Sequence, residues 1–186
     1  NIKGESIQPQ VITVNTVKPT ADLKPDEADE NLYIANKSGL VVIEEGIVKI
    51  TGRLVVNGDV NFSTGNINFP GDVRVAGDVK SGFGVQADGN VEIQGTVEDA
   101  ELVVGGNLTI KRGFTGTGHG IIKCCNLVQL GYAVNQTIEC KELKFQKEIV
   151  NCVVKAEREI SSEFGKIISG EAQAGFAITV NQIGHE

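Results

Sequence analysis

Between Gly58 and Ile110 valine returns every six residues, at Val73, Val79, Val85, Val91 and Val97, and a longer period lies over this one. Asp72, Asn90 and Asn107 each follow a glycine and each precede an apolar pair, Val73/Val75, Val91/Ile93 and Leu108/Ile110. A unit of roughly 17–18 residues is thus repeated, and self-similarity of that kind marks stacked coils. One coil of short strands cannot satisfy its own backbone or bury its apolar side. Parallel pairing with the coils above and below does both, at about 4.8 Å per coil. The pattern continues through Asn126–Leu127, Glu142–Leu143–Lys144–Phe145 and Glu159–Ile160, with Val85, Leu102, Ile121, Ile138 and Val153 marking an intervening face. A parallel β-helix is therefore predicted over residues 58–186, with roughly seven coils and a length of about 34 Å. Spacing loosens after Ile110, which predicts irregular coils or small insertions there. No segment carries capped helical periodicity, so the chain is expected to be all-β. The six-residue spacing by itself also suits a left-handed β-helix, which the irregular later coils disfavour.

Glycine occurs 23 times against no tryptophan, no methionine and two tyrosines. Such a chain builds its core from Val, Ile and Leu and turns its corners on glycine. Residues 1–57 read differently: an extended lead-in with the strand-like Val11–Val14, the prolines Pro19 and Pro25 and the acidic run Asp26–Glu30, then alternating segments. Short turns at Asn36–Gly39 and Glu44–Gly46 predict antiparallel hairpins joining Leu32–Ile34, Leu40–Ile43 and Ile47–Ile50. This small β-subdomain is expected to cap the first coil. At the other end, Ala177–Val180 is strand-like and followed only by Asn181 to Glu186, so an open coil edge is expected to pair with a second copy of the chain.

The net charge of −7 argues against a nucleic-acid partner, which needs a basic face. There is no apolar run long enough to span a membrane and no secretory leader pattern, so a soluble, cytoplasmic protein without membrane insertion is expected. Cys124, Cys125, Cys140 and Cys152 lack the paired short spacings of a zinc site and read as small corner-filling thiols, with neither metal nor other cofactor expected. In the repeat, Cys124–Cys125 align with Val104–Gly105 or with Gly105–Gly106.

The glycine-rich loop Gly113–Gly120 could aim backbone amides at an anion, but dinucleotide and P-loop forms need a helix next, and Ile121–Ile122 starts another strand. With Lys111, Arg112, His119 and Lys123 nearby, it is the candidate contact for a partner or anion. A hydrolase would need an orienting acid beside a Cys124–His119 pair, and none is evident. The acids Asp72, Asp78, Glu92 and Asp99 recommend a polysaccharide-acting enzyme only weakly, because few aromatics are present for sugar stacking. No catalytic residue is assigned. Asp72, Asn90, Asn107 and Asn126 are expected to form a structural ladder along one corner.

The run GDVNFSTGNINFPGDVRVAGDV, Gly58 to Val79, closely resembles the signature of the flagellar assembly protein A (FapA) family, and the similarity continues through DGNVEIQGTVEDAELVVGGNLTIKRGFTG and, more faintly, GEAQAGFAITVNQIG. The resemblance implies a right-handed, single-stranded parallel β-helix behind a β-rich N-terminal part. The chain departs from the pattern at Cys124–Cys125 and Cys140–Lys141, where glycine pairs are usual, and in lacking the helical segment that follows the repeats. The implied role is a non-enzymatic scaffold with protein partners in flagellar assembly or placement. A polysaccharide-binding or polysaccharide-acting β-helix and a self-assembling cytoskeletal-type subunit are the alternatives.

Overall fold

A computed structural model describes residues 18–29 and 32–184. The expected strand at Val11–Val14 lies outside the described residues. The described residues contain no helix, and none is therefore long and apolar enough to cross a membrane. The chain divides into two compact units, residues 1–37 with 41–50, and residues 38–40 with 51–186.

The first unit holds β1 (Lys18–Pro19), β2 (Leu23–Pro25), β3 (Tyr33–Ala35), β4 (Leu40–Glu44) and β5 (Ile47–Thr51). β4 and β5 are sheet neighbours joined by Glu45–Gly46, both at positive φ (52° and 77°), the geometry a two-residue hairpin requires. The other expected hairpin is replaced. β3 pairs with β2, antiparallel, through Leu23↔Ala35 and Pro25↔Tyr33, and not with β4. The cause is Asp26, whose carboxylate accepts the amides of Ala28 (2.8 Å) and Asp29 (3.2 Å) and so builds a turn where the acidic run reads as solvated lead-in.

The second unit is built from β6 (Arg53–Val56), β7 (Ile67–Phe69), β8 (Asp72–Val75), β9 (Gly84–Ala87), β10 (Val91–Ile93), β11 (Val97–Glu98), β12 (Glu101–Val104), β13 (Leu108–Thr115), β14 (Ile121–Val134), β15 (Thr137–Phe145), β16 (Glu148–Ser161), β17 (Lys166–Ala174), β18 (Ala177–Thr179) and β19 (Gln182–Ile183). All of its pairings are parallel, and they sort into three faces. The first face stacks Leu54, Val73, Val91, Leu108, Val128, Leu143, Ile160 and Ile178. The second stacks Val60, Val79, Val97, Phe114 and Ala133, and the third Ile67, Val85, Leu102, Ile122, Ile138 and Val154. The six-residue valine period is the walk around these faces: Val73 on the first, Val79 on the second, Val85 on the third, Val91 back on the first. Each of these valines is at most 1% exposed.

Eight rungs on the first face make seven turns, with coils of 19, 18, 17, 20, 15, 17 and 18 residues. Register shifts between Ile110 and Gly113, Cys124 and Leu127, and Cys140 and Glu142 account for the irregular middle coils. Glu142 and Glu159 are in register, and Arg158 relieves the like charge by pairing with Glu142 at 3.4 Å.

Glycine at the corner between the third and first faces follows from contact. Gly106 N donates to Gly89 O and Gly89 N to Gly71 O, so three glycine peptides stack directly. A Cβ on Gly106 would stand 2.7 Å from Asn90 Oδ1 and 2.8 Å from the Gly89 carbonyl carbon. Gly106→Ala is therefore expected to cost about 1–3 kcal/mol, read as a lower urea midpoint. A midpoint equal to the native one would show that the coils can part at that corner.

Candidate functional site

The polar groups of the solenoid gather at its corners, where the chain leaves one face for the next. Between the third and first faces, Asp72 Oδ1 accepts Asn90 N (2.8 Å) and Asn90 Nδ2 (3.2 Å), and Asn90 Oδ1 accepts Asn107 N (2.9 Å). The next rung is contributed by Leu127, whose amide reaches Asn107 Oδ1 at 3.3 Å. The bulge before Leu127 has moved Asn126 out of that place. Each side chain thus stands in for a carbonyl and takes up an amide of the following coil, a contact worth about 1 kcal/mol at the neutral Asn90 and Asn107.

A second ladder runs between the first and second faces. Asp59 Oδ1 accepts Asp78 N and Asp78 Oδ1 accepts Thr96 N, both at 2.8 Å. Lys80 Nζ joins Asp78 and Glu98, 2.9 Å from each. The amide of Thr96, then the Lys80 ammonium, hold the Asp78 carboxyl below the usual carboxylate range. The sequence carried a signal for this ladder, since Gly-Asp-Val occurs at Gly58, Gly71 and Gly77 alike.

Asp99 is the most connected polar group of the unit. It turns the corner between the second and third faces in the left-handed region (φ 33°), a conformation that Gly65, Gly82, Asn135, Asn151 and Ser169 supply on other coils. Its carboxylate accepts Thr117 N (2.8 Å), Thr117 Oγ1 (2.8 Å), His119 N (3.1 Å) and Gln136 Nε2 (2.9 Å). Burial would push this carboxyl up. The hydrogen bonds from Gln136, Thr117 and His119 overcome it and hold the group well below the usual carboxylate range. Gln136 is the buried polar side chain of the core, and it reaches Asp99 across the coil carrying Gly120, where a Cβ would strike the Gln136 amide and the Phe114 ring.

The glycine-rich loop is therefore closed on an anion of its own chain, with the amides of Thr117 and His119 directed at Asp99. The four basic residues expected beside it are distributed around the coil. Lys111 and Arg112 lie at the corner between the first and second faces, His119 is in the loop, and Lys123 points outward from the third face in register with Val103 and Glu139.

Cys124 and Cys140 stack in register below Val104, and the Cys152 sulfur accepts the backbone N–H of Gln136 at 3.4 Å. Cys124 thus takes the place of Val104, and exposed Cys125 that of Gly105. Burial, and then the neighbouring Cys124, push the Cys140 thiol up to about 12; burial raises Cys124 and Cys152 as well. These are thiols held away from thiolate chemistry. Among the described residues no three His, Cys, Asp or Glu side chains are grouped to hold a metal ion.

Three parallel ladders wound around one apolar core, with corner carboxylates and amides tying coil to coil, define a parallel β-solenoid. The chain belongs to the FapA family: the model of the Flagellar Assembly Protein A β-solenoid domain matches residues 53–186. No curated protein and no solved structure matches the chain.

Proposed function

We propose that the chain is a non-enzymatic scaffold of flagellar assembly or placement, working in the cytoplasm and holding protein partners on the outward side chains of its coils. The observation that carries this reading, beside the family, is the engagement of the four coil acids weighed above for glycoside chemistry. Asp72, Asp78 and Asp99 each take up an amide of the next coil, and Glu92 accepts Gln94 Nε2 at 2.8 Å with Arg74 at 3.9 Å. Acids bound in this way hold a rod together, and a rigid rod presents side chains at fixed intervals to whatever docks. Asp72→Asn supplies the test, because asparagine already fills the same corner at Asn90 and Asn107. In the host, loss of the gene is expected to change flagellar number or position in electron micrographs, and the Asp72→Asn gene to restore them. Flagella unchanged by the deletion would overturn the flagellar reading. A stable Asp72→Asn protein that fails to restore them would overturn the non-enzymatic one.

A further inference from the structure

Where the chain passes from the first face to the second, the fourth to sixth coils bring cations to one edge. Lys111 and Arg112 stand side by side at the bulge after Ile110, and Lys147 is set beside Gly131 by its amide, 2.8 Å from the Gly131 carbonyl. Lys144 lies in register with Gln129, and Gln129 with Thr109. All four cations are exposed, and among the described residues none of them forms an ion pair, whereas Lys80 on the same corner is held by two carboxylates.

Lys111 and Lys144 line a groove of about 170 Å³ whose remaining walls are Thr109, Gln129, Gln146 and the apolar edges of Ile110, Leu130 and Phe145. A neighbouring hollow shares Lys144 and Phe145 and is lined also by Ser161, Ser162, Glu163 and Thr179. From Thr109 onward the outer column of the first face is Thr109, Gln129, Lys144, Ser161 and Thr179, five rungs without a carboxylate, with Glu92 in register at the rung before them. Four steps of about 4.8 Å give a strip of about 19 Å, the reach of about six extended residues. Lys111 and Lys144 are two coils apart, roughly 10 Å along the axis, a spacing for two carboxylates on one extended segment rather than for one small anion. In a chain of net charge −7, exposed cations without an ion pair beside hydrogen-bonding Thr109, Gln129 and Ser161 form a patch of locally positive potential.

We infer that this strip is a docking groove for an extended acidic segment of a partner protein. Its carboxylates meet Lys111 and Lys144, its backbone meets Thr109, Gln129 and Ser161, and Arg112 and Lys147 add positive potential at the edge. The inference rests on the scaffold reading and names the chemistry of the partner that such a scaffold holds.

Fluorescence anisotropy with labelled hexaglutamate at low salt tests it. Saturable binding is expected, weakened at least about tenfold by Lys111→Glu with Lys144→Glu, a loss of about 1.4 kcal/mol. Lys123→Glu with Lys155→Glu makes the same change of net charge on the third face, and is expected to alter binding less than about twofold. All four side chains are exposed, and circular dichroism checks that the coils are kept. No saturable binding, equal weakening by the two pairs, or displacement of the peptide by inorganic phosphate or oligothymidylate at matching concentrations would each overturn the groove. The titration uses purified protein, so its failure leaves the flagellar assignment standing, and unchanged flagella beside intact peptide binding would do the reverse.

Discussion

Phe114→Ala is expected to lower the unfolding free energy by about 3–5 kcal/mol, the range for truncating a fully enclosed aromatic ring. Phe114 is 0% exposed and stands in the second-face column between Val97 and Ala133, where other coils place aliphatic or smaller residues. Its ring fits because its surroundings are small. Ala133 lies below it, and a Cβ on Gly120 would come within 2.8 Å of its edge. After truncation neither neighbour has side-chain volume to move into the space, and the backbone ladders above and below fix the coil spacing, so the cavity stays open. Urea titration followed by far-UV circular dichroism is expected to show a lower midpoint with an unchanged slope. A loss below about 1 kcal/mol would mean that the coils close over the gap, and the account of a core held at fixed spacing would fail.

The solenoid was legible because its period is written in the residues that face inward. Six residues carry the chain from one face to the next, so Val73 to Val97 already trace one full turn and part of another. The corner glycines were legible for the related reason that stacked peptides leave no room for a Cβ. Local bulges hid the rest. Coils of 20 and 15 residues follow one another after Leu108, and a reader counting forward from Asn107 lands on Asn126, whereas the backbone delivers Leu127. The same uncertainty concealed the column Thr109, Gln129 and Lys144, whose members share a groove only once both coil lengths are known.

Two further features were not visible at short range. The β2–β3 hairpin depends on Asp26 folding back on Ala28 and Asp29, and the acidity of that run spoke for solvation more loudly than for a turn. The Asp99 centre joins residues 37 positions apart across an intervening coil, so no local spacing announces it. What could have been noticed is that Gln136 falls on an inward position, where an amide needs a polar partner. Lys111, Arg112, His119 and Lys123 were grouped by nearness in sequence, and one turn around three faces is enough to separate them.

Asp99→Asn is expected to be the most damaging single change among the polar groups, at about 2–3 kcal/mol near neutral pH. Asparagine tolerates the left-handed backbone at this position, so the substitution removes the charge and one acceptor while sparing the turn. Its single oxygen cannot replace both carboxylate oxygens, so the new NH2 would face either Thr117 N or Gln136 Nε2, donor against donor, inside a corner from which Gln136 cannot reach water. The pH dependence separates this cause from a merely steric one. An unfolded aspartate titrates near about 3.9, and folding holds Asp99 well below that. Its contribution is therefore complete above about pH 5 and is lost as the pH falls toward the folded value. Native protein and variant are expected to differ most at neutral pH and to converge on acidification, measured as urea midpoints across that range. A difference that stays constant into acid would show that shape rather than charge holds the loop. No difference at neutral pH would remove Asp99 from the centre of this corner.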